Sequence, residues 1–137
     1  VEFQLSHLHI HLFGYYNPQI GYNEKLSHQM YAGADFLLMP SRVEPCGLNQ
    51  MYALRYGTIP IVRRTGGLQD TVKDFGDPGG FGICFNTASV GDICTSVYRA
   101  VELYEQKEKM KKIIVQIMQI DHSWEKSAQI YINLYNA

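Results

Sequence analysis

The chain has 137 residues, 46% of them hydrophobic, which is enough to bury one core and, on length, implies one domain rather than two. Twelve basic and 13 acidic residues leave a formal net charge of −1, a field too weak to mark nucleic acid or an anionic membrane as the principal partner. Three widely spaced cysteines, Cys46, Cys84 and Cys94, argue against a disulfide framework and for a reducing compartment. There is no membrane-length apolar run and no basic-then-apolar signal pattern, so a soluble intracellular protein is expected. The sequence starts at Val1 without an initiating methionine, so part of a longer protein is expected.

Residues 6–13 alternate, with Leu8, Ile10 and Leu12 on one side and His7, His9 and His11 on the other, the period of a strand. Three imidazoles on one face fit either a metal site or a solvated face. With no Cys, Asp or Glu within a few residues, the solvated face is favoured. A Gly-Tyr-Tyr-Asn-Pro turn at 14–18 follows, then Asn23 as the N-cap of a helix over 24–32 that Gly33 ends. Asp35-Phe36-Leu37-Leu38-Met39 is an almost wholly apolar run, predicting a parallel strand buried on both faces.

Ser41-Arg42-Val43-Glu44-Pro45-Cys46-Gly47 then forms a strand-to-helix turn. The helix over 48–56 places Leu48, Met51, Tyr52 and Tyr56 near one face and stops at Gly57. Its start offers the N–H groups of Gly47, Leu48 and Asn49 to an anion, yet neither a Walker loop nor the dinucleotide Gly-x-Gly-x-x-Gly pattern is present. Glu44 beside such a corner would repel a phosphate, so it either faces sugar hydroxyls or pairs with Arg42 or Arg63 to stabilise the loop.

Ile59-Pro60-Ile61-Val62 is the next buried strand, with Pro60 tolerable near its start. Arg63-Arg64-Thr65-Gly66-Gly67-Leu68 makes a second strand-to-helix turn, with a short helix to Val72. A loop at 74–80 leads to a last strand at 81–85. Helical periods follow: Ile93, Val97, Ala100, Val101 and Tyr104 over 89–106, then Met110, Ile113, Ile114, Ile117 and Met118 over 107–120. After Ser123 as N-cap, a final helix carries Trp124, Ala128, Tyr131, Ile132 and Tyr135. Strand, helix, strand, helix with tight connections predicts an α/β fold with a doubly wound parallel sheet and a helical C-terminal tail.

Glu-Pro-Cys-Gly-Leu-Asn-Gln at 44–50, Tyr56-Gly57-Thr58, Pro60, and Arg63-Arg64-Thr65-Gly66-Gly67-Leu68 with Asp70-Thr71-Val72 resemble the C-terminal domain of bacterial glycogen synthases and plant starch synthases. Gly21-Tyr22-Asn23-Glu24, Ala32-Gly33-Ala34-Asp35 and Ser123-Trp124-Glu125 resemble flanking stretches of that family. The match is specific over 21–72 and near the end, loose over 81–119, and poor before Gly21. The resemblance implies a C-terminal Rossmann-like domain of a two-domain (GT-B) retaining glycosyltransferase, truncated at its N-terminus, with a core over 21–85 and a helical tail over 86–137.

The resemblance further implies transfer of glucose from ADP-glucose or UDP-glucose, with retention, to the non-reducing end of an α-1,4-glucan, with no metal and no cofactor. Glu44 would be catalytic, contacting the donor glucose together with backbone groups of Cys46 and Gly47. Leu48 and Asn49 would meet the diphosphate, and Tyr22 would stack on the nucleobase. Asn49 stands where the family has threonine, and Tyr52 where related families carry a second glutamate. The family's phosphate-binding arginine and lysine, and a histidine of its N-terminal domain, have no counterpart here. Arg63 and Arg64 either substitute in part or brace the loop. This chain alone is therefore expected to be inactive, completed by the missing N-terminal domain, and cytoplasmic, or plastidial in a plant. The alternative is a non-catalytic module that binds a nucleotide sugar or glucan; another retaining hexosyltransferase fits less well, because the Pro-Cys-Gly turn is narrow.

Overall fold

The computed structural model describes residues 17–136, so the strand carrying His7, His9 and His11 lies outside the described residues. Helix α1 spans Glu24–Gly33, and the Asn23 side chain accepts the Leu26 N–H at 3.0 Å. Gly33 is its last helical residue. Ala34 is already extended and still bonds Met30 O, so the chain turns toward the sheet without a left-handed terminator.

Strands β1 (Phe36–Met39), β2 (Ile59–Arg63) and β3 (Ile83–Phe85) form a parallel sheet in the order β1-β2-β3, with Phe36 opposite Ile59 and Ile61 opposite Ile83. Pro60 sits in the central strand at the position that tolerates it. The Ile59 N–H bonds Asp35 O on the β1 side, so the Pro60 nitrogen faces the β3 side, one residue before that ladder begins. The prediction that β1 is buried on both faces fails at Leu38, which is 40% exposed; among the described residues β1 pairs on one side only.

Helix α2 spans Asn49–Tyr56, α3 Gly66–Thr71, α4 Val90–Glu105, α5 Lys107–Met118 and α6 Trp124–Tyr135. Leu54 of α2, Leu103 of α4 and Met110, Ile113 and Ile117 of α5 close over Ile59, while Ala100 covers Ile61, Ile83 and Phe85. Leu68 of α3 and Val72 cover the alternate residues Met39, Val62 and Cys84. Period-two alternation along β2 thus puts helices on both sheet faces, and each buried leucine or isoleucine contributes about 1.5–3 kcal/mol.

Two predicted helix faces are displaced and a third is left uncovered. In α2 the buried residues are Gln50, Ala53 and Leu54, whereas Leu48, Tyr52 and Tyr56 are exposed. In α4 they are Ser96, Ala100 and Leu103, with Val97, Val101 and Tyr104 exposed. Small residues in both stripes let the helix approach the sheet, and the larger side chains are rotated out. Helix α6, capped by Ser123 as predicted, buries none of its residues, and Trp124 is 88% exposed.

The connection after α3 is fixed by Asp74. Its carboxylate accepts the Cys84 N–H at 2.8 Å, the Gly76 N–H at 2.9 Å, and two Arg99 N–H donors at 2.6 and 3.0 Å, with the guanidinium 4.7 Å over the Phe75 ring. Burial pushes the Asp74 carboxyl up, but the bonds from Arg99, Cys84 and Gly76 outweigh it and hold the group below its ordinary value. Burial also pushes the Cys84 thiol up to about 11, so it stays protonated, and all three cysteines are free.

Candidate functional site

Because the strands are parallel, their C-terminal ends lie on one edge, where an open α/β sheet binds ligands. The turns after β1, β2 and β3 meet there. Arg63 ties them together: its guanidinium donates to Arg42 O at 2.7 Å, Ser41 O at 3.3 Å and Asn86 O at 3.1 Å. Arg64 lies 3.9 Å from Asp77 across an exposed pair. Arg63 therefore braces the loop through carbonyls rather than through Glu44.

The first turn is packed onto the second. The Gly67 N–H donates to both Glu44 O and Pro45 O at 3.3 Å, and a Cβ on Gly67 would lie 1.7 Å from Cys46 O. The Gly47 carbonyl accepts from Gln50 Nε2 at 2.9 Å. The carbonyls of Pro45, Cys46 and Gly47 all point inward, toward α3 and Gln50. In a trans peptide the carbonyl and the following N–H point opposite ways, and no described peptide is cis. The N–H groups of Cys46, Gly47 and Leu48 consequently turn outward, and that of Asn49 joins them at the first turn of α2. None of the four has a hydrogen-bond partner among the described residues. Successive outward amides at a helix start form a concavity of positive partial charge. Gly47 permits the bend at φ +70°, a conformation costly to a residue with Cβ.

Glu44 stands on the rim of this concavity, half-buried. Its Oε2 accepts from Ser41 Oγ at 3.2 Å, and no ion pair reaches it among the described residues. Pairing with Arg42 or Arg63 is not formed. The carboxylate is left as a hydrogen-bond acceptor beside an array of donors, an arrangement that can hold a molecule with an anionic end and a hydroxylated end.

A cleft of about 530 Å³ opens alongside, and its lining includes both Tyr22 and Asn49, with His28, Tyr31 and Tyr52. Tyr22 is 88% exposed, its ring free to be covered. The structure thus brings together the residue predicted for a nucleobase and one predicted for a diphosphate. The aromatic wall was not legible in the sequence: His28 Nδ1 lies 3.0 Å from Tyr56 Oη, and Tyr31 stacks on Tyr56 with ring centroids 6.3 Å apart. The tyrosines read as a core face of α2 are what face this cleft and α1. Gln50, Thr71 and Gly67 belong to the stretches singled out in the sequence, but the hydrogen bonds that join them across the two turns are not readable from it. Among the described residues no three His, Cys, Asp or Glu side chains converge on a metal position, and no helix is long and apolar enough to cross a membrane.

The sequence profile described as "Glycosyl transferases group 1" matches residues 19–116. A glycogen synthase from Flavobacterium johnsoniae is 62% identical over 136 residues, covering 99% of this chain and 28% of that protein. One from Bacillus anthracis is 50% identical over 120 residues, covering 86% of this chain and 25% of that protein. The chain therefore spans about a quarter of the length of these curated relatives. The catalytic domain of starch synthase IV from Arabidopsis thaliana, solved bound to ADP and acarbose, superposes with a TM-score of 0.82 at 38% identity over 97% of this chain and 29% of that one. Sucrose-phosphate synthase from Thermosynechococcus elongatus, at 22% identity, shares the fold with a TM-score of 0.69 over 97% of this chain and 34% of that one. A profile match over most of the sequence, together with the parallel α/β architecture common to these structures, shows that the chain belongs to the group 1 glycosyltransferases.

Proposed function

We propose that the chain supplies the donor-binding half of a glycogen or starch synthase, an enzyme that transfers glucose from ADP-glucose or UDP-glucose, with retention, to the non-reducing end of an α-1,4-glucan. The observation that carries this reading is the juxtaposition at one edge: outward amides of Cys46, Gly47, Leu48 and Asn49, a Glu44 carboxylate with no ion pair among the described residues, and the Tyr22 cleft. The amides suit the diphosphate and would stabilise the charge that grows on it as it departs. Glu44, with Cys46 and Gly47, suits the glucosyl hydroxyls, and Tyr22 the base. The ADP and acarbose in the starch synthase IV structure favour a nucleotide and a glucan as ligands here too. Free cysteines accord with a cytoplasmic, or in a plant plastidial, setting.

In this reading the reacting geometry is completed by a second domain, and the isolated chain binds nucleotide without turning over. The test is Glu44→Ala in the full-length protein, assayed by glucosyl transfer and by nucleotide titration. Turnover should fall on the order of a hundredfold or more while nucleotide affinity changes little. Unchanged turnover would sink the assignment of Glu44.

A further inference from the structure

We propose that Gln50 is the positioning residue of the corner: its buried amide draws the Gly47 carbonyl inward and so holds the Leu48 N–H outward, toward the diphosphate of a nucleotide. This rests on the reading of the corner as a diphosphate site. Gln50 touches no ligand in it; it acts through the peptide between Gly47 and Leu48.

The side chain is 0% exposed. Its Nε2 donates to Gly47 O at 2.9 Å and to Thr71 Oγ1 at 2.9 Å, and the Thr71 hydroxyl donates to Gly67 O at 2.6 Å. This chain fixes the amide's orientation. Thr71 has one hydroxyl hydrogen and gives it to Gly67, so its oxygen can only accept, and the group facing it must be the NH₂ of Gln50. Oε1 is then left buried with no partner among the described residues. A buried carbonyl without a protein partner is a cost that an apolar side chain of equal length would not incur. Packing alone would favour methionine here, so the reason for glutamine lies in the two bonds its NH₂ makes.

Those bonds span the two turns. Gly67, at the far end of the relay, also receives the first turn through its own N–H, so backbone and side chain clamp the corner from one direction. Gly47 and Gln50 fit as a pair: a Cβ on Gly47 would lie 2.6 Å from Gln50 Oε1. Without the Nε2 donor the Gly47–Leu48 peptide is free to rotate, and rotation withdraws an amide from the array. Preorganised donors lose their advantage when they must be reoriented at the moment of use.

The test titrates the full-length protein, wild type and Gln50→Met, with ADP against adenosine and UDP against uridine, alongside thermal unfolding. The wild type should bind one diphosphate at least tenfold more tightly than its nucleoside; equal binding, or none, overturns the diphosphate reading itself and the proposal with it. Given that preference, Gln50→Met should lose most of it, with nucleoside affinity within twofold and an unshifted unfolding midpoint. A variant that keeps the preference overturns the role of Gln50 and leaves the corner standing. Should Gln50→Met fail to fold, Thr71→Ser and Thr71→Val decide: the serine variant keeps the preference and the valine variant loses it, and retention in both refutes the relay.

Discussion

The chain builds the same local device twice, a strand running into a glycine turn and a helix, and the two copies end with opposite roles. At 44–49 the carbonyls point inward and the amides outward. At 65–71 the Gly67 amide points at the first turn, and the Leu68 N–H closes on Thr65 O at 3.2 Å. One turn presents donors and the other is its buttress. The second turn holds two arginines and two adjacent glycines, yet it is the first that presents its amides. What decides is carbonyl direction, set by contacts between the turns rather than within either.

That contrast is most directly broken at Gly67. In Gly67→Ala the new Cβ meets the Cys46 carbonyl at 1.7 Å, and the buttress must separate from the corner. A loss of about 3–5 kcal/mol is expected, the scale of severe core disruption, measured by urea unfolding; wild-type stability in the variant would mean the turns are not fused. Asp74→Asn loosens the far end of the buttress. It should cost about 2–3 kcal/mol through lost charged hydrogen bonds, and the cost should depend on pH. The Asp74 carboxyl titrates below its ordinary value of 3.8 in the folded state, so its contribution is fully present above that value and disappears as pH falls through the folded one. Wild-type and variant stabilities should converge in acid and differ at neutral pH; a constant difference would contradict the assignment. Gly47→Ala sharpens the comparison from the presenting side. The left-handed backbone at φ +70° makes it costly by about 1–2 kcal/mol, a smaller loss than at Gly67. Nucleoside diphosphate affinity, read by calorimetry, should nevertheless fall more than in Asp74→Asn.

Much of the fold was legible because strand, cap and breaker signals are local. Asn23 and Ser123 each accept an N–H from the first turn of the helix they cap, and Gly57 stops α2 where its sequence predicts. Helix faces were less legible, for a physical reason. A stripe of large apolar residues is the core face the sequence suggests, but in α2 and α4 close packing selected Ala53 and Ser96 beside the expected Ala100, and put Tyr52 and Tyr56 where other aromatics meet them. At the site, the type and spacing of Glu44, Gly47 and Asn49 singled out the corner. The Gln50, Thr71 and Gly67 relay was hidden because residues 21 apart meet there and no local pattern encodes that meeting. Helix α6 marks the same limit from the other side: its period was correct, yet an apolar stripe says what could be covered and not what covers it.

Helix α1, which frames the aromatic cleft, has no buried residue of its own. It is moored by side chains: the buried Thr58 hydroxyl, directed at the carbonyls of Tyr31 and Ala34, and the rings of His28 and Tyr31 against Tyr56. Helix α1 is thus held by polar and ring contacts without a buried apolar side chain, whereas the corner is fixed by backbone packed on backbone at Gly67. For the nucleotide proposed as ligand, the phosphates would then meet a wall fixed by backbone and the base a wall fixed by side chains, so that substitutions at His28, Tyr31 or Thr58 would reshape the base end while leaving the phosphate end in place.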